Sequence, residues 1–198
     1  MTIWSCKAPT LALGLALLAG CSDLDLTGSE RPHVAQAALA GGSVMLTAPE
    51  GYCIDEKTLR QNANAGFALI ARCDTMGAKG FFAAQELALI SVTTAPQGDG
   101  AAAPSVQDLT AVAAPARVLD SSTADGVPLV RLAAASPVNA DLSAEHWRGA
   151  FAVNGQLVGL ALYAPEDSPA LGDEGAEMLR DLAQRTKRAS TTDKAASN

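Results

Sequence analysis

The chain has 198 residues, 48% of them hydrophobic, and a formal net charge of −7. That length suits one compact domain with flanking segments. The acidic balance argues against a nucleic-acid binder, which needs clustered Lys and Arg, and it supplies no electrostatic pull toward anionic lipid. Aromatic residues are only 4% of the chain, so the core is expected to be light and carried by Leu, Val and Ile.

The N-terminus reads "MTIWSCKAPTLALGLALLAGC", with Lys7 as its only charge. The apolar run over residues 11–18 is too short to span a bilayer as a helix, which takes about 20 apolar residues. It has the length of a signal-peptide apolar region. The run ends in Leu18-Ala19-Gly20-Cys21, which resembles the bacterial lipobox. That resemblance implies a diacylglycerol thioether on the Cys21 sulfur, cleavage before it by signal peptidase II, and acylation of the new amine. The chemistry suits the residues. A thiol is a strong nucleophile for lipid alkylation, small Ala19 and Gly20 open the backbone to the protease, and several acyl chains hold a protein where one binds only marginally. The alternatives are an ordinary secretory signal, or a membrane helix with a chance cysteine. Ser22 rather than Asp follows the cysteine. By the sorting pattern of enteric lipoproteins this implies the periplasmic face of the outer membrane, with the inner membrane as the alternative.

Residues 1–20 are thus expected to be the signal peptide, and 21–42 a lipidated cysteine and flexible tether that holds Gly, Ser and Pro, in which "AQAALA" forms at most a helical turn. The folded domain is expected over 43–188, and a small, polar, disordered tail over 189–198. Cys6 leaves with the signal peptide, so Cys53 and Cys73 remain as an even pair in an oxidising compartment and are expected to form a disulfide. Without C-x-x-C spacing they do not read as a redox pair. His33 and His146 are the only histidines. That gives no metal-ligand pattern, and no cofactor motif is present.

"SVMLTA" alternates as a strand, Pro49-Glu50-Gly51 turns it, and "YCID" reads as a second short strand. "KTLRQNANAG" reads as a loop. "FALIARCD" and "LALISVTT" read as strands, the latter by β-branched content. Ser105 followed by Asp108 forms a capping box that opens a helix over 106–113. "ARVLDSS" and "VPLVRLAAA" flank Asp125-Gly126, a good hairpin signal, and "HWRGAFAVNGQLVGLALYAP" flanks Asn154-Gly155, which suits a type I′ turn. Leu171, Gly175, Met178, Leu179 and Leu182 recur at helical spacing, with acids early and bases late, as the helix dipole favours. Strands without a regular helix between each pair predict the α+β class: an antiparallel sheet carrying a short mid-chain helix and a C-terminal amphipathic helix.

The opening "LTAPEGYCID", the mid-chain helix before a strand pair, "GAFAVNGQLVGLALYAP" and the closing helix resemble, in order, the fold of the photosystem II extrinsic protein PsbP and its bacterial relatives. The resemblance spans most of the mature domain and rests on pattern. It implies a non-catalytic binding or assembly module and carries no site residue across.

G-x-S-x-G, S-x-x-K, H-E-x-x-H, the P-loop and G-x-G-x-x-G are all missing. A catalytic triad would need one of the two histidines, and His33 lies in the expected tether. The densest cluster is Glu145-His146-Trp147-Arg148. On a strand it sends Glu145 and Trp147 to one side and His146 and Arg148 to the other. It is the candidate binding surface, with Trp147 as a platform; the plainer reading packs Trp147 beneath the C-terminal helix and leaves the charges solvated. Asp55, Glu56 and Asp74 form a second candidate cluster, read more simply as a solvated rim. The function expected is a non-catalytic lipoprotein, attached to the membrane by its lipid and serving an envelope protein or component. The alternatives are an enzyme centred on His146 and a purely structural envelope protein.

Overall fold

The computed structural model describes residues 34–76, 88–98 and 101–196. Cys21 and His33 lie outside them, as does most of the expected tether. Ten strands and two α-helices are found among the described residues, and the fold is α+β as the sequence predicts.

Seven strands form one continuous antiparallel path: β3 (Tyr52–Ile54), β5 (Gly66–Arg72), β6 (Leu89–Pro96), β10 (Gln156–Tyr163), β9 (Glu145–Val153), β8 (Val127–Ala133) and β7 (Arg117–Ala124), with β4 (Arg60–Gln61) pairing to β5. The chain leaves the sheet after β6, passes through α1 (Val106–Ala113), and re-enters at the far edge as β7. Two tight hairpins then carry it back until β10 closes against β6. Both turns adopt the left-handed backbone that Asp-Gly and Asn-Gly permit: φ is 54° and 68° at Asp125 and Gly126, and 48° and 73° at Asn154 and Gly155. The capping box holds as expected. Ser105 Oγ accepts from the Asp108 N–H, and the Asp108 carboxylate accepts from the Ser105 N–H.

Strand alternation divides the buried residues between two faces. One face presents Ala68, Ile70, Ile90, Val92, Leu129, Trp147, Phe151, Leu160 and Leu162 to α2 (Asp173–Ala196) and to a hairpin of β1 (Gln36–Leu39) and β2 (Val44–Thr47). The other presents Val130, Leu132 and Ala150 to Leu109 of α1. No helix among the described residues is long and apolar enough to cross a membrane.

Two boundaries differ from expectation. Val34, where the described chain begins, bridges to Ile54, and residues 36–39 are a strand rather than part of a tether or a helical turn. "QAAL" is apolar at three successive positions, so its period is unreadable; only pairing with β2 shows that Ala37 and Leu39 face inward. At the other end, α2 continues to Ala196 through residues expected to be a disordered tail. Its inward stripe of Ala176, Leu179, Leu182 and Ala183 is prolonged by Thr186 and Ser190, both buried. Their hydroxyls accept from the backbone N–H groups of Thr47 (3.2 Å) and Met45 (2.9 Å) on β2. Two polar residues thus satisfy a strand edge that would otherwise bury unpaired donors. Residues 60–61 also differ, forming a two-residue strand in place of loop.

Cys53 and Cys73 form the expected disulfide, with Cα atoms 4.9 Å apart. Cys53 is the middle residue of β3 and Cys73 lies just beyond the end of its neighbour β5, so the bond staples β3 to the end of β5.

Candidate functional site

The alternation of β9 separates the four clustered residues. Trp147 points toward α2 and is 2% exposed. Its Nε1–H donates to the carbonyls of Leu171 (3.0 Å) and Gly172 (3.1 Å) at the approach to α2, and the Arg131 guanidinium lies 6.0 Å from its ring. The indole is therefore a core wedge whose polar edge is satisfied, and it offers no platform to a ligand. Glu145 shares that side at the start of the strand, half-buried, with its N–H donated to Ser143 Oγ.

His146 and Arg148 point to the opposite side, where α1 ends. The two-residue Asn154-Gly155 turn fixes the hairpin register, and that register puts Tyr163 of β10 directly across from His146. The two rings stack with centroids 5.2 Å apart. His146 Nδ1–H donates to the Ala144 carbonyl at 3.2 Å, and Arg148 Nε–H donates to His146 Nε2 at 3.3 Å. Both ring nitrogens are thus engaged by the neutral Nδ1–H tautomer. Burial pushes the imidazole below its ordinary pKa; the Ala144 hydrogen bond opposes this, and the Arg148 charge adds to it. With its lone pair accepting from a guanidinium, Nε2 is not free to take a proton from a nucleophile, as a general base must.

A cleft of about 230 Å³ opens beside this pair. Its helix side is made by Val112, Ala113, Pro115 and Ala116, and its sheet side by Leu132, Ala134 and Ala135 from the end of β8 and just after it. His146 and Arg148 are its two polar lining residues. Val112 stands 76% exposed at the rim. The Arg148 guanidinium has no carboxylate partner among the described residues. What the cleft offers chemically is one planar cation, without a carboxylate partner among the described residues, in an apolar recess.

The helix end and the loop after β8 are the parts that motif reasoning missed. The residues of "TAVAAPA" and "AAAS" that line the cleft are all apolar; the crossover through α1 brings the first to β9, and the pairing of β8 with β9 brings the second. Tyr163 was readable in principle, by counting back from the Asn-Gly turn.

Two of the three acidic candidates, Asp74 and Asp55, are engaged locally. Asp74 is paired with Arg72 at 2.8 Å, and that hydrogen bond, the largest influence on it, holds its carboxyl below the ordinary range. Asp55 accepts from the Lys57 N–H. Among the described residues no three His, Cys, Asp or Glu side chains are grouped to hold a metal ion.

No protein-family model matches this chain. None of the curated proteins is significantly similar to it.

Proposed function

We propose that this chain is a non-catalytic lipoprotein of the bacterial cell envelope, anchored through Cys21 to the periplasmic face of the outer membrane. It serves there as a binding or assembly accessory for an envelope protein or component, on a domain of PsbP-like type. The observation that carries the reading is Leu18-Ala19-Gly20-Cys21 at the end of an eight-residue apolar run. The Cys53–Cys73 bond supports it, because such bonds persist where exported proteins reside and are rare in the reducing cytosol. The engagement of His146 Nε2 by Arg148 favours binding over the rival catalytic reading of the same residues.

Cross-linking in the intact envelope tests the accessory role. A photoreactive residue at position 112, on the exposed rim of the cleft, is expected to capture one defined species. The same group at position 121, on the far edge strand, is expected not to capture it. Equal, unselective capture from both positions would contradict a selective accessory and favour a purely structural role.

A further inference from the structure

We propose that the cleft between the end of α1 and strands β8 and β9 binds a small aliphatic carboxylic acid, its carboxylate paired with Arg148 and its chain lying on the apolar walls. This gives a ligand class to the binding module proposed above and rests on taking the His146–Arg148 side as its working face.

The charge argument comes first. The chain carries a net charge of −7, yet Arg148 is left without a carboxylate among the described residues. A half-buried guanidinium in apolar surroundings is costly unless an anion neutralises it. His146 holds it in place: Nε–H is donated to the ring, which is itself fixed by Ala144 and stacked on Tyr163. The terminal N–H groups are then the fork left for a planar anion, and a carboxylate matches that fork in a bidentate manner. A single cation balances a single charge. A phosphate dianion would keep an uncompensated charge against alanine and leucine, so the monoanion is the better fit.

Size and lining set the rest. About 230 Å³ holds roughly eight water-sized atoms, the scale of a six-carbon acid. Leu132, fully buried, lines the cleft together with Ala113 and Ala116 from the end of α1 and just after it, and Ala134 and Ala135 from just after β8. None of these side chains carries a hydrogen-bonding group, so the body of the ligand must be apolar.

The test is titration of the purified full chain with hexanoate, followed by calorimetry and by the ring resonances of His146, one of only two histidines. Saturable binding with a Kd on the order of 0.1–1 mM is expected for so small a ligand, with the His146 resonances moving in step and hexanamide failing to bind. Arg148→Gln should weaken binding tenfold or more. Ala135→Phe, on the exposed rim, should weaken it similarly by filling the cleft while leaving Arg148 and the melting temperature unchanged. No saturation at tens of millimolar, hexanamide binding as well as hexanoate, or a folded Ala135→Phe protein that binds normally would each overturn the proposal. Lipid attachment at Cys21 is read out separately, so failure here is distinguishable from failure of the envelope reading.

Discussion

Trp147 and Gly175 touch across the junction of sheet and helix: a Cβ placed on Gly175 would stand 3.1 Å from Trp147 Cδ1 and would collide with the Ala170 carbonyl. The close approach lets the indole N–H reach the carbonyls of Leu171 and Gly172 just before α2 begins. Gly175→Ala is therefore expected to destabilise the domain. Helix propensity favours alanine by about 1 kcal/mol, but overpacking against backbone costs about 1–3 kcal/mol. The collision is with a carbonyl that cannot rotate away, so the steric effect should prevail. A thermal melt checks the sign, and a rise in Tm would show that the helix start is looser than described.

The Asn154-Gly155 turn separates conformational from contact energy. A Cβ on Gly155 meets nothing within 4 Å, so Gly155→Ala tests backbone strain alone, at about 1–2 kcal/mol; Gly155→Val should cost more because the branched side chain resists positive φ. Asn154 Nδ2 donates to the carbonyls of Ser43 and Ser190, both at 3.0 Å. Asn154→Gly keeps the turn but loses these bonds. Urea unfolding of the variants should show every one destabilised; coincident curves for the Gly155 variants would remove the turn assignment, and for Asn154→Gly they would remove the weight given to its two carbonyl bonds.

The C-terminal hydroxyls should matter to stability as a disordered tail would not. Ser190→Ala and Thr186→Val each leave a β2 N–H without its partner. Each is expected to cost about 1–3 kcal/mol. Backbone hydrogen exchange at Met45 and Thr47 is the local measurement: faster exchange in the matching variant is expected, and unchanged protection would contradict the helix-to-strand bonds.

The disulfide closes a sequence separation of 20 residues. Replacing both Cys53 and Cys73 by Ser should lower stability by about 3 kcal/mol, mainly by freeing the unfolded chain. A non-reduced digest should show the two linked within one molecule; two free thiols in protein taken from the envelope would contradict the staple.

His146 gives a pH dependence with a defined sign. Its native pKa lies below the ordinary value of 6.5, chiefly through burial. The charged or titratable groups facing it are Arg148 on its own strand and Tyr163 on β10; the end of α1 and strand β8 present Val112, Ala113 and Leu132. Between 6.5 and the lower native value the unfolded chain binds a proton that the native ring does not, so stability is full above 6.5 and falls as pH drops below it. Urea unfolding across this window should show a slope in the native protein that His146→Gln reduces. Equal slopes would show that His146 does not titrate differently on folding.

Much of the fold was legible because its signals are local. Both hairpin turns, the Ser105 capping box and the start of the amphipathic helix are each encoded within a few residues of where they act. The ends of the domain were not legible. Residues 36–39 are uniformly apolar save one, and beyond residue 188 the helix continues through small polar residues, with the Ser190 hydroxyl where the helical stripe would lead one to expect leucine. Of the candidate site, the division of Glu145 and Trp147 from His146 and Arg148 follows from strand period alone. The cleft itself does not, since its other walls are alanines, a valine, a proline and a leucine brought in from α1 and β8 by topology.

The anchor at Cys21 is the centre of the functional reading, and metabolic labelling with a clickable fatty acid in a bacterial host tests it most directly. The native chain should incorporate label and Cys21→Ser should incorporate none, because a hydroxyl does not replace the thiol as nucleophile. The Cys53→Ser, Cys73→Ser double variant should label like the native chain. Label retained on the Cys21→Ser chain, or absent from the native one, would contradict a lipid-anchored envelope protein.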